Sequence, residues 1–462
     1  MTRDIMAELN WVFHPRSVAI IGASNREGSF GRVFVEGLIR MGFKNIYPVH
    51  PRDKDILGLS AYTSVHEIPG EVDLAIVLTP PGAVLEVVEE CAKKGLKGVV
   101  IYTAGFGETG EEGKKIERDI ARIARHSGTR VIGPNSIGIY CPSARLLSFP
   151  LGLLEGLPRD SGPVGAFSQS GSFVDLLVCN TSAKGIRFSK VVSSGNECDL
   201  EAADFLEYLG QDTETKIIVA YLEGVNDGKR FYQLAQQISM QKPIIMWKAG
   251  TTETGAKAAF SHTGALAGSS RVWEAMFRQA GIISVSSFEE VIDCLVGFYY
   301  LPLPKGRRIA IVSGPGGAAV GASDSCIRLG LDLAKLSDYT RTRLAQAIPP
   351  VGTSADNPVD LGPGVLLRPQ VYGEAIKILA EDENVDMLLV IAISDRECSQ
   401  SIFEVVRGID KPVVVAMTVL PEIDPSEYQF LMTNGILSYA DAKRAAVVLA
   451  KLADYVQFRE GS

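Results

Sequence analysis

Three segments of the sequence follow the same pattern, and their even spacing constrains the fold more than any other feature. Each begins with a short apolar run rich in β-branched residues, continues with a turn of glycine and serine, and ends in a helical pattern. The segments are SVAIIGASNREG (17–28), GPVGAFSQSGSFVDLL (162–177) and RRIAIVSGPGGAAVGA (307–322). They start 145 residues apart, a length that suits one α/β domain. Because 462 residues are too many for one hydrophobic core, we predict several such domains.

Strands and helices alternate between these segments. Apolar runs typical of strands lie near residues 47–51, 73–78, 98–103 and 130–135, and again near 216–224, 243–250 and 281–285. Residues 386–394 and 411–417 are continuous apolar runs, which indicate strands buried on both faces. We therefore predict an α/β fold of three Rossmann-like or flavodoxin-like domains, each built on a doubly wound parallel sheet.

The domain boundaries are predicted at two segments that match neither a strand nor a helix. Residues 139–161 fit neither period and are interpreted as the first linker. The second is YLPLPKGRR (300–308), where two prolines exclude a continuing helix. The predicted domains are residues 1–140, 141–303 and 304–462.

Composition and charge exclude several classes of protein. The net charge of −8 argues against general nucleic-acid binding, which calls for a basic surface. No window approaches the ~18 uncharged apolar residues that span a membrane, and the start MTRDIMAELNWVF does not predict a signal peptide. The seven cysteines form no CxxC pair, so we expect neither a metal site nor a disulfide framework. We therefore expect a soluble cytoplasmic protein.

The glycine and serine turns point to phosphate ligands, since such turns present free backbone N–H groups at the positive end of a helix dipole. The first turn lacks a full GxGxxG, and the second strand is followed by YPVHPRDKD instead of the acid that NAD needs for its ribose. Arg26, Arg52 and Lys54 place positive charge at the ends of the first two strands. This charge favours coenzyme A, which carries a 3′-phosphate in addition to its pyrophosphate.

The other two turns differ from the first. GPGGAA, which starts at Gly314, matches GxGxxA, and Asp338 follows at about the distance expected of a nicotinamide-binding site. This turn leaves an NAD-dependent dehydrogenase open as an alternative. The middle turn, SQSGS (168–172), has no lysine of the GxxxxGK[ST] type and is not a nucleotide P-loop.

His262 stands in a stretch of small residues, AAFSHTGALAGS (258–269), which indicates a loop that can approach a ligand closely. The preceding strand ends in this loop, and Glu223 closes the neighbouring strand at the same expected edge. A carboxylate beside an imidazole fixes its tautomer and leaves the other ring nitrogen as a nucleophile. Two helix starts, at Gly171 and Gly316, would complete a site for a phosphoryl group on that nitrogen.

Together GASN (22–25), GPNSIG (133–138), SQSGS, YLEG (221–224) and SHTGALAG (261–268) resemble the α subunits of ADP-forming acetyl-CoA synthetases. This family belongs to the NDP-forming acyl-CoA synthetases and is related to succinyl-CoA synthetase. The resemblance covers nearly the whole chain. It implies a CoA-binding domain followed by two further α/β domains, with the ATP-grasp nucleotide site on a separate β subunit.

The resemblance also implies roles for individual residues. His262 corresponds to the phosphorylated histidine and Glu223 to its stabilising partner. The phosphate-holding helix starts correspond to Ser170, Gly171, Ser172, Gly316 and Gly317. Coenzyme A would contact Gly22, Ser24, Asn25, Val49, Pro51, Lys54, Thr79, Pro80, Thr103 and Ala104, with Asn135 near the thioester. The sequence departs from its relatives at His50, where they often have asparagine.

The implied reaction is the interconversion of acyl-CoA, ADP and phosphate with acid, CoA and ATP. It would proceed through an acyl phosphate and a phosphohistidine, with acetyl-CoA as the expected thioester. ADP or ATP and Mg²⁺ are expected on the β subunit, in an α2β2 assembly. Besides the dehydrogenase, a non-catalytic CoA-binding sensor is an alternative hypothesis, although it would assign no role to Glu223 and His262.

Overall fold

The computed structural model describes residues 4–150, 157–252, 254–255, 269–418 and 426–461. The chain divides into two compact units, residues 1–291 and 292–462. Among the described residues, the first unit contains two large sheets and a two-stranded hairpin, and the second unit contains one sheet. The predicted α/β fold with several parallel sheets is confirmed. The predicted domain boundaries stay a prediction.

The first sheet of the first unit is wholly parallel. Its strands and an adjoining hairpin are β1 (Val18–Ile21), β2 (Ile46–Val49), β3 (Asp55–Ile56), β4 (Leu59–Ser60), β5 (Leu74–Val77), β6 (Gly98–Ile101) and β7 (Arg130–Ile132). The sheet order is β2-β1-β5-β6-β7, and β3 pairs only with β4. Its helices are Ile5–Phe13, Phe30–Met41, Pro81–Lys94 and Glu111–Ser127, with short 3₁₀ turns at Val65–Glu67 and Gly107–Thr109. Every residue of β1, β5 and β6 is buried, as is usual for the central strands of a parallel sheet.

The second sheet has a parallel body and an antiparallel end. Its strands are β8 (Ile139–Cys141), β9 (Leu146–Leu147), β10 (Val164–Ser168), β11 (Phe188–Ser193), β12 (Ile217–Leu222), β13 (Ile244–Lys248) and β14 (Ile283–Val285). Their order is β14-β13-β12-β10-β11-β8-β9. The helices are Gly171–Ser182, Ala202–Gln211, Gly228–Ser239 and Ser270–Ala280, and a 3₁₀ turn spans Pro142–Ala144.

The antiparallel end corrects the first predicted linker. β8 pairs with β11, and β9 pairs with β8, so part of the segment 139–161 belongs to the sheet. Strands of two or three residues are too short to show a period of two, so the pattern missed them. The prediction also missed β11, whose apolar run is interrupted by Lys190. That side chain is buried, and its ammonium is paired with Asp212 at 3.0 Å and Glu214 at 2.9 Å.

The two sheets of the first unit share one core. Phe13 stacks on Tyr208 with ring centroids 4.7 Å apart, which packs the first helix on Ala202–Gln211. Arg130 of β7 pairs with Asp199 at 2.9 Å in the segment that follows β11. Buried apolar residues from both sheets form a continuous cluster. The two carboxyl edges therefore belong to one compact body.

The second unit is built on one further parallel sheet. Its strands are β15 (Arg308–Ser313), β16 (Asp332–Leu333), β17 (Val359–Asp360), β18 (Met387–Ile393), β19 (Val413–Thr418) and β20 (Ser438–Tyr439). The order is β16-β15-β18-β19-β20, and β17 also pairs with β15. The helices are Gly316–Arg328, Asp338–Ala347, Val371–Glu381, Arg396–Val406, Ser426–Thr433 and Ala442–Gly461, with a 3₁₀ turn at Pro363–Leu366. The helix Phe288–Tyr300 spans the division between the two units.

Two findings apply to the described ranges only. None of their helices combines the length and the apolar character that crossing a membrane requires. No group of three or more His, Cys, Asp and Glu side chains in these ranges is placed to hold a metal ion.

Candidate active site

The carboxyl edge of the second sheet brings together polar groups from neighbouring strands. β10, β11, β12 and β13 run parallel, so their carboxyl ends lie at one edge, where open α/β sheets bind ligands. In register, Ser168 lies beside Tyr221, and Leu222 lies beside Lys248. The side chains that follow these strand ends are buried to an unusual degree for polar groups: Gln169, Ser194, Glu197, Glu223 and Lys248.

The predicted phosphate-binding residues Ser170, Gly171 and Ser172 lie at the start of helix Gly171–Ser182. Ser170 caps this helix, since its Oγ accepts a hydrogen bond from the N–H of Phe173 at 3.4 Å. The hydroxyls of Ser170 and Ser172 lie 3.2 Å apart. The first turn of a helix offers N–H groups without helical partners and a positive dipole end, so this turn can hold a phosphate.

Gly171 is also required by packing. A Cβ added at this position would lie 2.5 Å from Cγ2 of Ile137, a distance that real side chains do not tolerate. Ile137 belongs to the chain between β7 and β8, so the helix start rests directly on the connection between the two sheets. The close approach explains why a glycine follows the capping serine.

Glu223 directly follows β12 and is buried, with 4% of its surface exposed. The hydroxyl of Tyr221 donates to its Oε1 at 3.4 Å. The backbone N–H of Glu223 donates to Oε1 of Gln169 at 2.6 Å. Gln169 itself directly follows β10 and precedes the capping Ser170. The side chain of Gln169 therefore connects the end of β10, next to the helix start, with the end of β12, where the predicted stabilising carboxylate lies.

The predicted phosphorylated residue, His262, lies outside the described residues. On its N-terminal side, β13 ends at Lys248, at the same edge as Glu223. On its C-terminal side, the described chain resumes at Ser269, before helix Ser270–Ala280. The role of His262 therefore stays a prediction.

Lys248 is a polar group of this edge that sequence reasoning missed. It is 4% exposed, its ammonium donates to the carbonyl of Ala249, and it lies 5.0 Å from the ring centroid of Trp273. Burial lowers the pKa of Lys248 to about 8, and the nearby Glu223 carboxylate opposes this shift. The sequence contained a signal for it, because Lys248 ends an apolar strand whose neighbour is directly followed by Glu223.

The carboxyl edge of the first sheet holds the residues predicted to bind coenzyme A. Because all five strands are parallel, these residues gather at one edge. They are Gly22, Ser24 and Asn25 after β1, Val49 at the end of β2 with Pro51 and Lys54 beyond it, Thr79 and Pro80 after β5, Thr103 and Ala104 after β6, and Asn135 after β7. The structure therefore brings the predicted set to a common surface.

The contacts of this edge are compatible with a ligand. Gly22 has a φ of 95°, and its N–H donates to the carbonyl of Val49 at 3.0 Å, which opens the turn after β1. Oγ1 of Thr79 is buried and has no hydrogen-bond partner among the described residues. A buried hydroxyl without a partner is costly, so a ligand group at this position would stabilise it. Asn25 differs from Thr79, because its side chain already donates to the carbonyl of Asp55 and accepts from the N–H of Leu57.

The cationic segment after β2 has a defined turn. Nδ1 of His50 accepts hydrogen bonds from the N–H of Asp53 at 2.9 Å and of Arg52 at 3.4 Å. The histidine thus caps the turn in the way that an asparagine side chain could. Arg52 and Lys54 are exposed and form no ion pair with any residue of the described ranges, which leaves their charge available to a phosphate.

Asn135 lies where the two edges meet. It has a φ of 59°, and its N–H donates to the carbonyl of Thr103 at 2.9 Å. Its Nδ2 donates to Oδ1 of Asn196, which follows β11, at 3.4 Å. The residue predicted to lie near the thioester therefore contacts both sheets of the first unit.

The third turn belongs to the second unit. Gly316 and Gly317 begin helix Gly316–Arg328, as predicted. A Cβ on Gly316 would lie 2.5 Å from Oδ2 of Asp360, whereas Gly317 has open space. Asp338, the acid that suggested NAD, begins a separate helix and pairs with Arg341. It does not close a strand, so the dehydrogenase alternative is not supported.

Comparison with known proteins identifies the class of enzyme to which the chain is related. Family profiles match residues 16–142 as a CoA binding domain, residues 161–298 as a succinyl-CoA ligase like flavodoxin domain and residues 309–459 as a ligase-CoA domain. These three domains define a CoA ligase of the succinyl-CoA ligase type. A likeness to solved structures supports the class: acetyl-coenzyme A synthetase 1 from Ca. Korarchaeum cryptofilum, in complex with phosphate and ADP, is 32% identical with a TM-score of 0.88, and the match covers 98% of this chain and 97% of that one.

Two relatives from Pyrococcus furiosus narrow the class to a family. The α subunit of ADP-forming acetate–CoA ligase II is 39% identical over 460 residues, covering 97% of this chain and 98% of the relative. The α subunit of the isoform I enzyme is 38% identical and covers 96% of this chain and 97% of the relative. The chain belongs to the ADP-forming acetate–CoA ligase family and matches these two α subunits over nearly their whole length. The resemblance proposed from the sequence motifs is confirmed.

Proposed function

We propose that this chain is the α subunit of an ADP-forming acetyl-CoA synthetase and carries the phosphoryl group of the reaction on His262. The net reaction interconverts acetyl-CoA, ADP and phosphate with acetate, CoA and ATP. The observation that carries the proposal is the pairing of a helix start at Gly171 with the buried Glu223 on the adjacent strand. A dipole end for phosphate and a carboxylate for an imidazolium are the two groups that a phosphohistidine requires.

The proposed chemistry begins at the thioester. An oxygen of inorganic phosphate attacks the acyl carbon, the carbon–sulfur bond breaks, and CoA leaves as its thiolate. The product is acetyl phosphate. A ring nitrogen of His262 then attacks phosphorus, the bond to the acyl oxygen breaks, and acetate leaves. Each step exchanges one high-energy bond for another, so the sequence can run in both directions.

The chain's own groups stabilise the charges that develop. The N–H groups at Gly171 and Ser172 would bind the phosphoryl oxygens, and the helix dipole would contribute about 0.3–1 kcal/mol when exposed and up to ~2 kcal/mol when partly buried. Glu223 would accept a hydrogen bond from the other ring nitrogen of His262 and stabilise the imidazolium. We propose the helix start at Gly316 and Gly317 as a second phosphate contact.

Coenzyme A is proposed to bind at the carboxyl edge of the first sheet. The match to a CoA binding domain over residues 16–142 supports this, as do the exposed Arg52 and Lys54 and the buried hydroxyl of Thr79. Asn135, which contacts both sheets, would then lie near the thioester, where CoA reaches the phosphoryl site.

A partner subunit completes the reaction. The matched relatives from Pyrococcus furiosus are named as α subunits, which implies a β subunit. We propose that this partner is an ATP-grasp subunit that holds ADP and Mg²⁺, that it takes the phosphoryl group from His262, and that the assembly is α2β2. Because CoA and ADP are cytoplasmic metabolites, we place the enzyme in the cytoplasm.

The division of labour can be tested with the isolated chain. Incubated with acetyl-CoA and phosphate, it should release CoA thiol and become labelled by phosphate, yet form no ATP from added ADP. Addition of the β subunit should restore ATP formation. Synthesis of ATP by the isolated chain would contradict the proposal, and so would a failure to release CoA in the presence of both subunits.

A further inference from the structure

The carboxyl edge of the second sheet contains a buried glutamate that the proposed reaction does not use. Glu197 follows β11, is 7% exposed and has a φ of 57°, a conformation that side chains rarely adopt. Its Oε1 accepts a hydrogen bond from Oγ of Ser194 at 2.7 Å, and the N–H of Ser194 donates to the carbonyl of Ser168, the residue before Gln169, at 2.7 Å. The nearby amide of Gln169 favours the ionised form of Glu197 and so opposes the effect of burial on its pKa. Burial raises the pKa of Glu197 to about 7. A buried carboxyl group in a strained backbone costs free energy, so its position calls for a function.

Gln169 joins Glu197 to the end of β12. Its Oε1 accepts from the N–H of Glu223 at 2.6 Å and from the N–H of Gly224 at 3.2 Å, and its Nε2 donates to the carbonyl of Gly224 at 3.0 Å. These three hydrogen bonds hold the backbone at the residue that carries the proposed stabilising carboxylate. Gln169 is itself buried, 9% exposed, so water does not compete for these groups.

Glu197 reinforces the orientation of the Gln169 amide that the three hydrogen bonds to Glu223 and Gly224 set. The two ends of an amide differ, because the oxygen only accepts and the nitrogen only donates. An ionised carboxylate only accepts, so Glu197 in its ionised form favours the nitrogen of Gln169 on its own side, with the oxygen facing the N–H groups of Glu223 and Gly224. If the amide turned by 180°, its nitrogen would face two N–H donors, and both would lose their partner.

The other side of this segment is anchored on the first sheet. The N–H of Asn196 donates to the carbonyl of Pro134 at 2.9 Å, and its Nδ2 donates to Glu108 at 2.6 Å and Glu117 at 2.8 Å. Both carboxylates also accept N–H groups of the turn after β6. A Cβ on Gly195 would lie 2.2 Å from the oxygen of Pro134, so the segment lies directly on this backbone.

We infer that Glu197 and Gln169 are positioning residues for phosphoryl transfer. The segment Ser194–Glu197 rests on the carboxyl edge of the first sheet, orients the amide of Gln169, and through that amide sets where Glu223 lies. The inference rests on the proposed function, because it assigns these residues to the phosphohistidine step. It also links the edge that is proposed to bind CoA to the edge that is proposed to carry the phosphoryl group.

The test uses the enzyme reconstituted with its β subunit, labelled inorganic phosphate and acetyl-CoA. The rate of phosphoenzyme labelling is measured together with the KM for acetyl-CoA. Glu197→Met and Gln169→Leu should each slow labelling about 10- to 100-fold, because a small displacement of a catalytic group has effects of this size. The KM for acetyl-CoA should stay within about twofold, since the CoA edge is unchanged. Glu197→Gln keeps an acceptor oxygen and should label within about threefold of the wild type.

A double variant separates positioning from general loss of structure. If Glu197 acts through Gln169, adding Glu197→Met to Gln169→Leu should slow labelling no further. The matched control is Glu201→Gln, four residues along, which weakens a contact with Arg230 at 3.6 Å and should leave the labelling rate unchanged. Glu197→Met labelling at the wild-type rate would overturn the inference, as would a double variant slowed by the product of the two single effects. Absence of labelling in the wild type would instead contradict the proposed function.

Discussion

The carboxyl edges of the first and second sheets have the same strand geometry but are built differently. At the first edge, the chain beyond β2 presents exposed Arg52 and Lys54 on a turn capped by His50. At the second edge, Gln169, Glu197, Glu223 and Lys248 are all at least nine-tenths buried, and each of them takes part in a hydrogen bond.

The difference follows from what each edge is proposed to do. Binding a large, flexible cofactor tolerates exposed charges that adapt to it, and each charge contributes modestly. Transfer of a phosphoryl group requires groups held within a fraction of an ångström, which buried and mutually bonded side chains provide. Substitutions at the second edge should therefore reduce the reaction rate strongly, whereas substitutions at the first edge should weaken CoA binding by smaller steps.

The largest effect is expected at Glu223. Glu223→Gln can still accept a hydrogen bond from an imidazole but cannot neutralise an imidazolium. Loss of such a buried charge partner costs about 3 kcal/mol, which slows phosphoenzyme formation about 100-fold. Rapid-quench labelling with phosphate and acetyl-CoA measures this rate. An unchanged rate would show that the buried carboxylate has no electrostatic role.

The next effect is expected at the helix start. Gly171→Ala adds a Cβ that meets Ile137, so the helix start must shift away from the bound phosphate. We expect the KM for phosphate to rise about tenfold, equivalent to about 1.4 kcal/mol. Gly82→Ala is the matched control, since it also lies in the first turn of a helix and no atom lies within 4 Å of the added Cβ. An equal KM for phosphate in the two variants would contradict a phosphate site at Gly171.

A smaller effect is expected at the first edge. Lys54→Glu replaces an exposed cation by an anion beside the proposed CoA phosphates. The Kd for CoA, measured by calorimetry, should rise about five- to tenfold at low salt and less at high salt, because exposed charges are screened. The rate of labelling at saturating acetyl-CoA should not change. Tight NAD binding with no CoA binding would refute the assignment of this edge.

The last effect is on the stability of the fold, not on catalysis or binding, and concerns Glu197. Its pKa is about 7 in the folded protein and lies near 4.5 in the unfolded chain, so the stability it contributes is present below about pH 4.5 and is lost as the pH rises through 7. Glu197→Gln removes this titration. The variant should match the wild type at pH 4.5 and exceed it by about 1–3 kcal/mol at pH 8. Urea unfolding at both pH values measures the difference, and a variant that is less stable at pH 8 would contradict the burial of an ionised carboxylate.

The sequence predicted the parallel strands well, because β5, β12 and β18 are unbroken apolar runs whose buried pattern is visible without the fold. It missed β8 and β9, which are too short to show a period, and β11, whose buried Lys190 is acceptable only because Asp212 and Glu214 lie beside it. Pairings of this kind depend on tertiary contacts.

The candidate site shows the same limit. Glu223, Gly171 and Gly316 lie at strand ends or helix starts, so motif and position together were sufficient to place them. Gln169 and Glu197 were missed because their proposed role depends on contacts between segments that are distant along the chain, and the sequence does not show which of these segments are neighbours. The amide of Gln169 can be assigned a positioning role only once its hydrogen bond to the N–H of Glu223 is known.

The central claim is that the phosphoryl group travels on His262 beside Glu223. The most direct measurement is peptide mapping of the enzyme after incubation with labelled phosphate and acetyl-CoA, with digestion kept at alkaline pH. The account predicts label on the peptide that contains His262, stable in base and lost in acid as expected of a phosphoramidate, and neither label nor net ATP formation in His262→Ala despite normal CoA binding. Label on any other residue, or full turnover by His262→Ala, would contradict it.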